Sequence, residues 1–136
     1  MDAFMQNTFV EAAANFSVAV LSLILFLAIF ETITPYKNWE EIKNGNIAVA
    51  LATGGKLFGV ANILRFSIEH NDSVLTMVTW GAYGFFLLVF SYLMFEFLTP
   101  MFKVDKEIAA DNRAVGLISF IISTGLSFVI GAGILS

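Results

Sequence analysis

The sequence predicts an all-α membrane protein: four transmembrane helices built as two parallel-repeat helical hairpins. Three observations carry this. Hydrophobic residues make up 58% of the 136 residues and charged ones only 13%, against ~25% in a typical soluble domain. So few charges cannot clothe a water-soluble surface, and lipid is the solvent. Four apolar stretches are each long enough to cross a bilayer, which takes ~20 residues. A phrase also recurs: "FETITP" at 30–35 returns 65 residues on as "FEFLTP" at 95–100.

The first span runs from about Phe9 to Phe30 and the second from about Ile47 to Ile68. The third runs from about Val74 to Phe95 and the fourth from about Ala114 to Leu135. All four read as helices, because an open strand leaves its backbone unsatisfied in lipid. The first is not expected to be a signal peptide: no Lys or Arg precedes it, and the apolar run is too long for a signal core. Basic residues set the expected orientation. Lys37 and Lys43 follow the first span, and Lys103, Lys106 and Arg113 follow the third. Only Arg65 lies near a helix end on the other side, so both long loops are expected in the cytoplasm and both termini outside.

The repeat extends past the opening phrase. "EIKNGNIAV" at 41–49 matches "EIAADNRAV" at 107–115 in Glu, Ile, Asn, Ala and Val. The expected units are residues 1–68 and 69–136, one hairpin each, within one integral domain. Two spans per unit make the repeat parallel, related by a pseudo-two-fold axis along the membrane normal. Thr34–Pro35 and Thr99–Pro100 are helix stops, since proline cannot continue a helix and biases the residue before it away from helical geometry. Asn38 with Glu41 has the form of a capping box that restarts a helix toward Asn46.

"TPYKNWEEIKNGNIAVA" and "DNRAVG" resemble the YjfL-like small inner-membrane proteins, a bacterial domain of unknown function. The likeness covers nearly the whole chain. It implies four spans in two repeated pairs and a multi-pass protein of the bacterial inner membrane. It also implies an association with membrane-stress proteins of PspA-like or flotillin-like type. It carries over no catalytic residues.

Lys56 is the sharpest single feature. It stands near the middle of the second span, some 15 Å from either end at ~1.5 Å per residue. A lysine at that depth costs ~2.5–3.5 kcal/mol on insertion scales. A carboxylate, backbone carbonyls, water or a bound anion must offset that cost. Two readings stay open, a structural lysine held inside a bundle or oligomer and a lysine that serves transport, gating or a lipid headgroup. Around it, Gly54, Gly55 and Gly59 permit close helix approach, with Gly55 and Gly59 in small-xxx-small spacing, or a local loosening of the helix. The segment does not match a nucleotide-binding P-loop.

Glu31 and Glu96 are the acids of the repeated phrase, at the C-terminal ends of the first and third spans. An acid there opposes the helix dipole. Each is expected to pair with a basic group, with Lys43 and Arg113 as candidates, or to cap loop backbone in the facing repeat; proton or cation binding is the other reading. Asn46 and Asn112 begin the second and fourth spans as caps. Ser119, Ser123, Thr124 and Ser127 give the fourth span a small polar face suited to packing on the second. Glu11 and Asn15 share a face of the first span. Tyr36, Trp39 and Trp80 fit membrane-interface belts.

There is no Cys and a single His, His70, so thiol chemistry and a histidine metal cluster are excluded. The net charge of −4 and the lack of a basic patch argue against nucleic acid. No cofactor is implied, and no nucleophile–base pair suggests an enzyme. Two functions remain. One is a structural or scaffold component of envelope maintenance acting as a homo-oligomer. The other is a small oligomeric channel or transporter that uses Lys56 and the Glu31/Glu96 pair.

Overall fold

The computed structural model describes residues 8–70, 73–97, 99, 101 and 103–135. Among them are six helices: α1 (Thr8–Ile33), α2 (Asn38–Lys43), α3 (Ile47–His70), α4 (Val74–Phe97), α5 (Val104–Ala109) and α6 (Arg113–Leu135). There is no strand among the described residues. The protein is all-helical, and α1, α3, α4 and α6 are each long and apolar enough to cross a membrane. The short α2 and α5 lie in the two connections, at one end of the bundle.

Helix α3 is the hub. Twelve of its residues are buried, more than in any other helix, and it packs on all three of the other long ones. Its closest partner is α6, and small residues make that possible. A Cβ on Gly55 would stand 2.7 Å from the Phe120 Cα, and one on Gly116 would stand 2.7 Å from the Ala48 carbonyl oxygen. A Cβ on Gly59 would stand 3.1 Å from the Ser123 carbonyl oxygen, a somewhat looser approach. Gly54 meets nothing within 4 Å and takes no part in this seam. Ser119, Ser123 and Ser127 of α6 are all buried. Without a hydrophobic drive between helices in lipid, close backbone approach is what holds such a pair together.

The core divides in two along the length of the bundle. Away from the short helices, Phe26 and Phe30 of α1 meet Val60, Ile63 and Leu64 of α3, Phe85 and Leu88 of α4, and Ile134 of α6. The Phe26 and Phe85 rings stack at 4.4 Å. At the other end, Tyr36, Ala48, Val49, Ala52, Val104, Ile108 and Val115 seat the short helices on α3. Helix α1 is the least integrated span, with only 11% of its apolar window buried.

The two connections are built alike. Lys37 and Lys103 have extended N-cap backbones. Each short helix ends in a paired turn: Asn46 N–H donates to the Glu41 carbonyl and Gly45 N–H to that of Ile42, while Asn112 donates to Glu107 and Asp111 to Ile108. This is the Schellman closure, which needs a left-handed residue just past the helix end. Gly45 fills that place with φ 86° and Asp111 with φ 63°. An aspartate there is strained where glycine is not. Its carboxylate has other work: Oδ1 accepts the Ala48 N–H at 2.9 Å, at the open N-terminus of α3.

Several expectations are revised. Asn38 does not cap α2; Lys37 holds the N-cap position with no side-chain cap bond. Tyr36 lies in the first connection but is buried within the protein, at 7% exposure, and does not face outward. Trp39 and Trp80 are exposed, and Trp80 meets Tyr83 edge-on at 5.7 Å. The proposed stop at Pro100 lies outside the described residues.

Candidate functional site

The acids of the repeated phrase close helix N-termini. The Glu31 carboxylate accepts the Asn38 N–H through both oxygens, at 3.0 and 3.1 Å. The Glu96 carboxylate accepts the Asp105 N–H at 3.1 Å. Asn38 and Asp105 lie in the first turns of α2 and α5, where backbone N–H groups are unpaired and the helix dipole favours negative charge. An acid that opposes the dipole of its own long helix thus serves the short helix that follows. Each acid caps the short helix that follows its own long helix, not the one in the other connection. Among the described residues neither acid forms an ion pair with Lys43 or Arg113; Arg113 instead lies 3.8 Å from Asp111.

Asn46 and Asn112 hold the starts of α3 and α6. Asn46 Oδ1 accepts the Val49 N–H at 3.0 Å, and its amide donates to the Ala109 carbonyl at 2.9 Å, at the end of α5. Asn112 Oδ1 accepts the Val115 N–H at 3.4 Å. With the Asp111–Ala48 bond, these contacts cross-link the two connections at one end of the bundle. Glu11 lies exposed and Asn15 half-buried on α1, and no contact joins either to the site.

Lys56 lies between the two core clusters, 1% exposed. Nine residues separate it from Ile47, about 14 Å along the helix, and helical side chains lean toward the N-terminus. The ammonium therefore inclines toward the short helices. It stands 4.4 Å from the centre of the Tyr92 ring and 5.4 Å from that of Phe30, a two-sided cation–π contact. Nζ has no hydrogen-bond partner among the described residues. The same holds for Thr53 Oγ1, Ser119 Oγ, Tyr36 Oη and Asn38 Oδ1. Buried polar atoms are nearly always paired in native proteins, so this group at one end of the bundle needs an explanation other than packing.

Tyr92 joins the lysine to an acid. Its ring faces Nζ, while its hydroxyl donates to Asp105 Oδ1. Asp105 and Tyr36 line an open cleft of about 380 Å³ beside the connections, together with Pro35, Glu96, Lys103, Lys106 and Ala109. Burial pushes the Asp105 carboxyl above its ordinary range, and the Lys56 charge only partly offsets this. Burial also raises the Tyr36 phenol, with the charges of Asp105, Glu96 and Glu31 adding to the effect. The elements α1, α3, α4 and α5 thus place Glu31, Lys56, Tyr92 and Asp105 in one electrostatic group that reaches the cleft.

The family model for a Domain of Unknown Function, DUF350, matches residues 4–134. The chain belongs to the DUF350 family. It is 61% identical over 134 residues to the UPF0719 transmembrane protein YshE of Bacillus subtilis (strain 168), covering 98% of this chain and all of that one. It is 29% identical over 105 residues to the UPF0719 inner membrane protein YjfL of Escherichia coli (strain K12), covering 77% of this chain and 78% of that one. No solved structure matches it.

In this DUF350 chain, sequence reasoning singled out Lys56 but missed Tyr92, Asp105 and Phe30 around it, and Asp111 as the strained cap. One signal was available. The register that places Asn46 on Asn112 places Trp39 on Asp105 and Ile122 on Lys56. The charged pair stands at positions where the other half carries apolar side chains.

Proposed function

We propose that the protein is a proton-linked membrane transport component, with Lys56 and Asp105 as a coupled proton-binding pair. A fully buried lysine with no hydrogen-bond partner among the described residues, joined by Tyr92 to an acid at an open cleft, carries this reading. An ammonium at that depth is costly. Intramembrane ionisable groups facing a bundle interior mark ion pathways and proton relays. The raised Asp105 carboxyl is suited to exchange protons with water in the cleft. Protonation of Asp105 removes the counter-charge of Lys56, so the two sites are linked through the shared tyrosine. The chain acts here without covalent catalysis.

Three further features belong to this reading. The chain is a duplicated hairpin, residues 1–68 and 69–136, supported by the matching turns and caps of the two connections. It resides in the inner membrane, supported by the name of the Escherichia coli relative. The cleft faces the cytoplasm and the termini the outside, supported by the basic residues of the two connections. A homo-oligomer is favoured by the lipid-exposed α1, and a scaffold of such subunits in envelope maintenance is the second reading.

The test is Tyr92→Phe in proteoliposomes with an imposed pH gradient and a clamped potential. The substitution keeps the ring against Lys56 and removes the hydroxyl from Asp105. The expected result is a folded protein with at least a tenfold loss of wild-type proton flux. Wild-type protein that moves no protons, or a variant with full flux, overturns the proposal in favour of the scaffold.

A further inference from the structure

We propose that the groove between α1 and α3, at the end away from the connections, is a seat for one phospholipid, with an acyl chain against the helices and the phosphate on Arg65. The groove holds about 460 Å³, within the ~300–1,000 Å³ usual for small-molecule sites. Ala19 and Leu23 of α1 form one wall, and Ala61 and Leu64 of α3 the other. It exists because α1 is pinned to the bundle mainly through Ser22, Phe26 and Phe30, so its earlier turns stand off from α3. The corresponding space beside α4 is filled: a Cβ on Gly84 would stand 2.5 Å from Ile63 and 3.3 Å from Ile130.

Arg65 supplies the charge. It lines the groove five residues before the end of α3, about 7.5 Å along the axis, which is headgroup depth. Its side chain is held on three sides and remains 56% exposed. Nη1 donates to Asn62 Oδ1 at 3.3 Å, Nε lies 3.3 Å from Glu69, and the guanidinium rests 4.8 Å from the Phe66 ring. The remaining guanidinium donors have no protein partner among the described residues and are preorganised for a phosphate, which a guanidinium fork matches in geometry. A helix from a second copy would have to bury this arginine–glutamate pair against apolar side chains, which is costly. A phospholipid satisfies both the apolar walls and the cation at the mouth.

Native mass spectrometry of the delipidated full chain in detergent tests the assignment. The probes are dioleoyl phosphatidylglycerol and dioleoylglycerol, which share chains and differ in the phosphate. One phosphatidylglycerol per chain is expected, bound at least tenfold more tightly than dioleoylglycerol. Arg65→Gln is expected to erase that preference, and Ala61→Phe, which fills the groove, to abolish binding of both. Equal binding of the two probes to wild type, or unchanged binding to Ala61→Phe, overturns the proposal. So does a wild-type dimer that Ala61→Phe dissociates, which would make a second copy the occupant.

Discussion

Two neighbouring glycines of α3 give the fold its sharpest test. A Cβ on Gly55 would stand 2.7 Å from the Phe120 Cα and 3.2 Å from its carbonyl oxygen. Carbon atoms prefer about 3.5–4.0 Å, so Gly55→Ala must push α3 and α6 apart by about 1 Å. The opposing atoms are backbone and cannot swing aside. Overpacking of this kind costs about 1–3 kcal/mol, against a helix-propensity gain of about 0.5–1 kcal/mol for alanine. The net expectation is a loss of about 1–2 kcal/mol. Gly54→Ala meets nothing within 4 Å and receives only the gain. The two variants should therefore differ by about 2 kcal/mol, in opposite directions from wild type. Equilibrium unfolding in mixed micelles, followed by circular dichroism, measures both. If the two variants unfold together, the α3–α6 seam is not packed as described.

Glu31→Gln keeps an acceptor for the Asn38 N–H but removes the charge at the N-terminus of α2, so a loss of about 0.3–1 kcal/mol is expected in the same unfolding assay. Asn46→Ala removes both the α3 cap and the bond to Ala109; its cost of about 1–3 kcal/mol should exceed that of Asn112→Ala, which loses one long bond. Asp105 titrates above its ordinary value in the fold, so wild-type stability falls as pH rises from the unfolded carboxyl range through that raised value. Asp105→Asn should flatten this slope, gaining on wild type at neutral pH and losing the advantage in acid; an unchanged slope would refute the burial assigned to Asp105.

The four spans were legible because each is a long apolar run bounded by polar residues, and length alone separates such runs from core helices. The Gly55–Gly59 spacing pointed to close helix packing, but Gly54 reads no differently in sequence and faces open space. Nothing in the spacing tells which side of α3 meets α6. Glu31 was conspicuous as an acid at the wrong end of a helix. Its partner was not, since the chain must turn at Pro35 before the Asn38 N–H can face it. Tyr36 looked like an interface residue because tyrosine favours both belts and buried clefts. Asp105 was hidden for a related reason: an acid in the first turn of an amphipathic loop helix is ordinary until the fold sets it against Tyr92.

Lys56→Met tests the central claim most directly when unfolding and proton flux are measured on the same preparation. The change removes an insertion penalty of about 2.5–3.5 kcal/mol and forfeits cation–π contacts with Phe30 and Tyr92 worth about 2 kcal/mol when desolvated. The account predicts a variant at least as stable as wild type, by a margin of order 1 kcal/mol, that has lost at least nine-tenths of the proton flux. A variant that folds and conducts protons as wild type does would contradict it.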